Sequence, residues 1–374
     1  MRIGLSTSVL EPARTAGRLD GMGVYTQHLL NGLKERQQQV VPLSFPKRGD
    51  GGRLSVGQSF GVPFPVAALG GVFSGGFWRQ NPKVDVYHAT DYRVLPMRCP
   101  VVATLYDAIP MVDPSMANPR FRQLKNALMR KLASYADAVI AISSYSVAEL
   151  VEHYRVDESR IRVIHCGVDK VWLTDPDPAF VGQILPRYGL TPGYFLAVGT
   201  LQPRKNFTRV IEAHALLPQE VRREHPLVVV GKPGWRCENL IETLKHKEAQ
   251  GEVRWLSDVG ERAELRALYY GASTFVFPSL YEGFGLPVLE AFASGIPVVT
   301  SNTTSLPEVS AGIAWEVDPT SATDIAEAML KSLVDEDERQ TRIAAGRERV
   351  RLMSWDKTVE ETLGVYRELS PMSV

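Results

Sequence analysis

The sequence predicts an α/β protein made of two doubly wound, Rossmann-like β/α/β halves, and three observations lead there. Short apolar runs of strand length alternate with helical runs along nearly the whole chain. That alternation breaks once, at the proline- and aspartate-rich stretch Leu173-Thr174-Asp175-Pro176-Asp177-Pro178. With 374 residues the chain is long enough for two domains of ordinary size, each with its own core.

The first series opens with a strand over Ile3 to Val9 and a helix from about Val24 to Arg36. Strands follow at Val84 to Tyr87, Val101 to Tyr106, Ala138 to Ile142 and Val163 to His165. They read as near-continuous apolar runs, the pattern of parallel strands covered on both faces. Beyond the break, Tyr194 to Val198 starts a second series, continued by Leu227 to Val230, Val253 to Leu256, Thr274 to Phe277 and Pro297 to Thr300. The expected domains are residues 1–175 and 190–355, and the cleft between them is the natural active site, since pockets favour domain interfaces.

Composition narrows the function. The chain is 44% hydrophobic and 22% charged with a formal net charge of +0, a balance that argues against a nucleic-acid partner, which calls for a basic excess. Cys99, Cys166 and Cys237 are isolated, with no C-x-x-C spacing for zinc or redox chemistry, and their odd number disfavours a disulfide framework. Met1-Arg2-Ile3-Gly4-Leu5 runs straight into the first strand without a signal-peptide pattern, and no apolar stretch approaches the roughly 20 residues of a membrane span. The expectation is a cytoplasmic protein, or one peripheral to the cytoplasmic face of the inner membrane.

The most informative segment is Tyr281-Glu282-Gly283-Phe284-Gly285-Leu286-Pro287-Val288-Leu289-Glu290-Ala291, in which two carboxylates flank a glycine-rich turn that runs into a helix. Pro287 suits the first turn of that helix. Gly283 and Gly285 admit a ligand close to the backbone, and the helix start aims N–H groups and a positive dipole end at it. Glu290, in the first turn, can accept hydrogen bonds from a polyol such as ribose. The plain alternative is a decorated surface helix. The flanking strands decide against it: Ser273 to Ser279 and Gly295 to Thr300 place the turn at a strand's carboxyl end, where open α/β sheets bind ligands.

This segment resembles the E-x7-E element of the retaining glycosyltransferases of family 4, with the GT-B fold, matched as Glu282 and Glu290. The likeness runs over nearly the whole chain. It takes in Gly21-Met22-Gly23-Val24-Tyr25-Thr26, Ala141 to Ser146, Val163 to Asp169, Val198-Gly199-Thr200-Leu201-Gln202-Pro203-Arg204-Lys205-Asn206 and Leu227 to Trp235. It is closest to bacterial mannosyl- or rhamnosyl-type transferases that build O-antigen and surface polysaccharide from GDP-mannose or related GDP-sugars.

The resemblance implies two Rossmann-like domains facing each other across a cleft, with a last helix, about 356–374, returning to the first. It also implies a metal-independent hexosyltransferase without a cofactor, moving mannose or a mannose-derived sugar to a lipid-linked or oligosaccharide acceptor. Glu290 would hold ribose hydroxyls. Glu282 with Gly283, Phe284 and Gly285 would hold the donor sugar. Arg204 and Lys205 would stabilise the leaving diphosphate, Arg as a fork and Lys as a point charge. Many relatives carry Arg where this chain has Thr200, and Arg204 is the candidate replacement. The Gly21 and Gly23 loop would close over the diphosphate; as a dinucleotide fingerprint it fails, with Thr26 at the third glycine position. The loop near Ser257-Asp258-Val259 would be the base-reading loop, with Val259 among the donor-binding residues.

Candidates on the sugar or acceptor side are Tyr106, Asp107 and His88. Many relatives have His-Asp where this chain has Tyr106-Asp107, and a tyrosine cannot become a cation near neutral pH. His88 is either a substitute or a core histidine. The acidic groups Asp175-Pro176-Asp177 and Asp335-Glu336-Asp337-Glu338 read as solvated faces, not metal sites. Val56 to Trp78, with five large aromatics, reads as a flexible apolar loop suited to a lipid-linked acceptor. Asn118 to Tyr135 reads as a basic amphipathic helix, with Phe121, Leu124, Leu128 and Leu132 on one face, that either lies on anionic lipid or packs on the sheet. UDP-sugar-dependent glucosyl or N-acetylhexosaminyl transfer, a sugar-nucleotide epimerase on a similar scaffold, and a non-catalytic scaffold of polysaccharide assembly stand as rivals.

Overall fold

The computed structural model describes residues 1–12, 19–46, 54–74, 79–112 and 122–370, and divides into two compact units. One comprises Met1–Gly167 with Trp355–Val374; the other is Val168–Ser354. Residues 168–175, placed by sequence with the first half, therefore group with the second.

The first unit holds seven strands: β1 (Arg2–Ser6), β2 (Gln39–Ser44), β3 (Gln58–Ser59), β4 (Val86–Ala89), β5 (Val101–Leu105), β6 (Ala138–Ala141) and β7 (Ile161–Val163). They form one parallel sheet in the order β3-β2-β1-β4-β5-β6-β7. Every residue of β4, β5 and β6 is buried, which is why these runs show no polar alternation.

The helix expected from Val24 begins at Gly21 instead, as α1 (Gly21–Glu35), because the Asp20 carboxylate caps it by accepting the Gly23 N–H at 2.9 Å. The stretch expected as a flexible apolar loop also departs from expectation: besides β3 it holds α2 (Phe64–Phe73). Phe60 stacks on Phe45 at 4.3 Å and Phe64 meets its edge at 5.3 Å, so two of its aromatics belong to the core. Phe77 and Trp78 lie outside the described residues. The basic helix is α3 (Arg122–Ala133); Asn118 to Phe121 also lie outside the described residues. Leu132 is buried and Leu128 packs on the core, but Leu124 is 71% exposed and falls off the predicted stripe.

The C-terminal helix Trp355–Leu369 docks on α1 within this unit. Its Thr358 hydroxyl donates to the His165 carbonyl at 2.7 Å, and the Arg36 guanidinium donates to the Asp356 carbonyl at 3.1 Å.

The second unit holds β8 (Tyr194–Val198), β9 (Leu227–Val230), β10 (Val253–Leu256), β11 (Ala272–Phe277), β12 (Val298–Ser301) and β13 (Trp315–Val317). They pair in parallel in the order β10-β9-β8-β11-β12-β13. Each unit thus winds outward from its first strand, then crosses back: the order reverses between β1 and β4 in one and between β8 and β11 in the other. Such a reversal leaves a crevice at the carboxyl ends of the two central strands. The helix α4 (Leu286–Ala293) follows β11. Among the described residues, no helix is long and apolar enough to cross a membrane.

Candidate functional site

The β8/β11 reversal brings together residues distant in sequence. Beyond β8 the chain enters a short 3-10 turn, Pro203–Lys205; beyond β11 it enters the glutamate turn. Leu280 N–H donates to the Arg204 carbonyl at 2.8 Å, fixing the two turns side by side. Arg204 Nη1 then reaches Glu282 Oε2 at 2.8 Å and the Tyr281 carbonyl at 3.1 Å, and Lys205 Nζ reaches Glu282 Oε1 at 2.6 Å. One carboxylate is therefore shared by two cations. The Lys205 ammonium also lies 4.5 Å from the centre of the Phe277 ring, a cation over an aromatic face.

Lys205 and Glu282 are both buried. Burial drives the Lys205 ammonium down to about 8, against the pull of the Glu282 carboxylate and with help from the Arg204 charge. Burial also works to push the Glu282 carboxyl up, but the Lys205 and Arg204 cations hold it below its ordinary range. The trio is thus largely ionised near neutrality and carries a net positive charge.

Glycine is demanded at two places around it. Gly285 precedes α4 with φ +118, and a Cβ there would lie 2.7 Å from Leu306 Cδ2. At Gly231, after β9, a Cβ would stand 1.8 Å from the Gly199 carbonyl oxygen, so the backbones of the β8 and β9 turns touch only because that side chain is absent. The N-cap of α4 is Gly285, which has no side chain to cap the helix, and the helix starts one residue before Pro287. A helix end of this kind favours an anion.

Glu290, half-buried on α4, receives the Tyr269 hydroxyl at 3.4 Å. Burial raises its carboxyl to about 7, with Arg262 and Tyr269 pulling weakly the other way. Arg262 itself pairs with Asp169 at 2.9 Å. Val259 is half-buried in the loop between β10 and the helix Arg262–Tyr270, the same helix that supplies Tyr269.

Other expected site residues belong to the first unit. Gly21 and Gly23 are in the first turn of α1, not in a free loop, and the Asp20 carboxylate caps that turn at the Gly23 N–H. Tyr106 is a correction: its phenol turns inward and donates to the Thr90 carbonyl at 2.6 Å, while its ring packs edge-on to Tyr25. For His88 the structure takes the core alternative. The residue lies inside β4, fully buried, with Nδ1 on the Tyr366 hydroxyl at 2.6 Å and Nε2 on Thr104 Oγ1 at 2.8 Å. Burial pushes it down to about 3, so it is a neutral core group that ties the C-terminal helix to the sheet. Asp107 stays at the strand end, half-buried, accepting from the Tyr92 hydroxyl at 3.1 Å and the Ile109 N–H at 3.2 Å.

The two acidic groups have local partners. Asp177 caps the helix Pro178–Arg187 and Asp335 caps Glu336–Leu352, while Asp175, Glu336 and Glu338 pair with Arg347, Arg339 and Arg342.

Sequence reasoning missed Thr304 and Ser305, which hold the glutamate turn from the carboxyl end of β12, as well as Phe277 beneath Lys205 and Tyr269 beside Glu290. The missed signal was a repeat of the same grammar: β12 is followed by a polar turn and a helix with proline in its first turn, Leu306–Ser310.

Comparison with known proteins adds the following. A family model described as Glycosyltransferase Family 4 matches residues 19–171, and one described as Glycosyl transferases group 1 matches residues 187–349. O-antigen chain mannosyltransferase B of Escherichia coli is 34% identical over 295 residues, covering 78% of this chain and 76% of that protein. Serotype-specific mannosyltransferase WbdA of Escherichia coli is 34% identical over 250 residues, 63% of this chain but only 29% of the relative's length. Among solved structures, a sucrose-phosphate synthase from Thermosynechococcus elongatus superposes with a TM-score of 0.76 at 20% identity, covering 100% of both chains.

Proposed function

We propose a function from a settled premise: the chain belongs to glycosyltransferase family 4 and has the GT-B fold. On that premise it is read as a retaining mannosyltransferase that takes a hexose from a nucleotide diphosphate, GDP-mannose favoured, and passes it to a growing, lipid-linked glycan. The observation that carries the reading is the Arg204, Glu282 and Lys205 trio at the β8/β11 reversal, beside the uncapped start of α4. The 34% identity to O-antigen chain mannosyltransferase B supports mannose as the sugar.

The residues suit the chemistry as follows. The acceptor oxygen forms a bond to the anomeric carbon while the bond from that carbon to the diphosphate oxygen breaks, both on one face of the sugar. The electron pair leaves with the diphosphate, whose departing oxygen takes the acceptor's proton. Arg204 and Lys205 absorb the growing charge, aided by the α4 dipole, so no divalent ion is assigned that work. Glu282 is an unsuitable covalent nucleophile, since each of its oxygens already accepts from a cation. Its remaining lone pairs can accept sugar hydroxyls, and Glu290 can accept from the ribose diol.

Incubation with radiolabelled GDP-mannose, other GDP-sugars and UDP-sugars, each with and without a membrane lipid extract, tests this. Transfer of label from GDP-mannose into lipid is the expected result. A new sugar nucleotide formed without lipid, or no turnover of any donor, would overturn it.

A lipid-linked acceptor calls for a surface that meets lipid, and the first unit offers one. Along one side of α2, Val66, Leu69 and Phe73 are 48%, 48% and 84% exposed. The segment after α3 is tied to that helix by the Tyr135 hydroxyl, which donates to the Gly71 carbonyl at 3.2 Å, and α3 presents Leu124, Lys125 and Lys131. Apolar and basic groups side by side suit an anionic bilayer. The protein is expected to sediment with anionic vesicles and to leave them at high salt, since surface charge is screened over about 8 Å at physiological ionic strength. Phe73→Asp and the pair Lys125→Glu with Lys131→Glu should each reduce binding several-fold. Equal binding to neutral and anionic vesicles would defeat the electrostatic part.

A further inference from the structure

The turn that follows β12 grips the glutamate turn from behind. Ser305 Oγ lies 2.9 Å from the Glu282 carbonyl oxygen and 2.9 Å from that of Phe284, and Ser305 is fully buried. Next to it, Thr304 Oγ1 accepts the Glu282 N–H at 3.3 Å, with Thr304 held in the left-handed region at φ +58. A branched residue is uncommon there and persists where its surroundings over-determine it. The gripping residue is itself anchored, because the Ser305 carbonyl accepts the Val309 N–H at 3.1 Å at the start of the next helix.

Peptide geometry turns this grip into a directional device. In a trans peptide unit the N–H points opposite to the C=O, and the chain contains no cis peptide among the described residues. The Glu282 carbonyl shares its unit with the Gly283 N–H; the Phe284 carbonyl shares its unit with the Gly285 N–H. Drawing both carbonyls to one hydroxyl therefore turns both N–H groups to the side away from Ser305. Gly285 reaches this arrangement at φ +118, where a Cβ would stand 2.7 Å from Leu306 Cδ2.

We infer that Ser305 is a positioning residue for the donor diphosphate: it never touches the ligand, but it sets the two peptide planes whose N–H groups, with the start of α4, face the phosphate oxygens. The inference rests on reading this site as a nucleotide-diphosphate site, and it adds a residue outside the E-x7-E element to the machinery. A hydroxyl is required because it must donate to carbonyls in a place closed to water. Cysteine would fill the same space with a weak donor.

The test separates phosphate binding from nucleoside binding. GDP and UDP are titrated calorimetrically, and guanosine and uridine by NMR, into the wild type, Ser305→Ala, Ser305→Cys and Ser305→Thr. With its hydroxyl lost, the site is expected to bind the preferred diphosphate roughly tenfold more weakly, the upper range for one net hydrogen bond. Affinity for the matching nucleoside should stay unchanged, and Thr should restore most of the diphosphate affinity. If the Ala variant fails to fold, the near-isosteric Cys variant carries the measurement. Unaltered diphosphate affinity in the Cys variant, or an equal loss for the nucleoside, would overturn the positioning role. A wild type that binds neither diphosphate would instead remove the nucleotide reading itself.

Discussion

Lys205→Ala is expected to lower kcat about 10²–10³-fold while changing KM for the donor only a few-fold, the signature of a group that stabilises charge made in the transition state. Its ammonium is buried, seated on Phe277 and directed by Glu282, so it is held in place before any donor arrives. Prior placement matters because a cation that need not reorganise during bond cleavage stabilises the developing diphosphate charge most. Arg204→Ala should fall in the same direction, since its guanidinium is anchored on Glu282 and the Tyr281 carbonyl rather than loose in solvent.

Removing a buried cation also leaves Glu282 partly uncompensated, a loss that can reach several kcal/mol of fold stability. The double variant Lys205→Ala with Glu282→Gln separates the two effects. It should melt nearer the wild type than Lys205→Ala does and remain inactive. Near wild-type kcat in the single variant, with the fold intact by circular dichroism, would remove the charge-stabilisation claim.

What the sequence made legible were features written in local grammar. Strand-length apolar runs gave the central strands of both sheets but not the outer β2, β3 and β13, and the glycines with Pro287 gave the start of α4 to within one residue. Lys205 and Glu282 were each singled out, but nothing in their spacing of 77 positions says that their side chains meet; that follows from the strand order, which places β8 beside β11. The histidine and tyrosine of the first unit were hard to place for a related reason. His88 was expected just past a strand, yet β4 runs two residues further than its apolar pattern suggested, and that shift carries the imidazole into the core. Tyr106 follows β5 directly, and its phenol found a carbonyl partner on the neighbouring strand's turn. The stretch from Val56 misled through its glycines, which hid a helix whose aromatic residues serve the core at one end and solvent at the other.

Glu290 is expected to make nucleotide binding strongly pH-dependent. Its carboxyl, raised to about 7 by burial, holds a proton in much of the free protein below that pH, whereas accepting both ribose hydroxyls calls for the carboxylate. Affinity for the nucleoside diphosphate should therefore climb as pH rises through 7. It should level off above that, because the loss of the Lys205 charge, half complete near 8 in the free protein, costs turnover rather than affinity. On that plateau, Glu290→Ala should weaken binding by roughly 1.5–3 kcal/mol, the cost of a lost hydrogen bond to a charged group, or about ten- to a hundredfold. The same carboxyl makes a second, opposite demand on the fold. Because its folded value lies above its unfolded value of 4.5, the folded state loses stability as pH rises from the unfolded value through the folded one. Glu290→Gln, which cannot ionise, should thus melt higher than the wild type at pH 8 and equal to it near pH 4.5, while binding nucleotide weakly and without the rise through 7. Calorimetric titrations and melting curves over that range check both limbs. A wild-type affinity that is flat from pH 6 to 8 would reject Glu290 as the ribose acceptor, because only the ionised carboxyl offers both of its oxygens as acceptors to the two ribose hydroxyls.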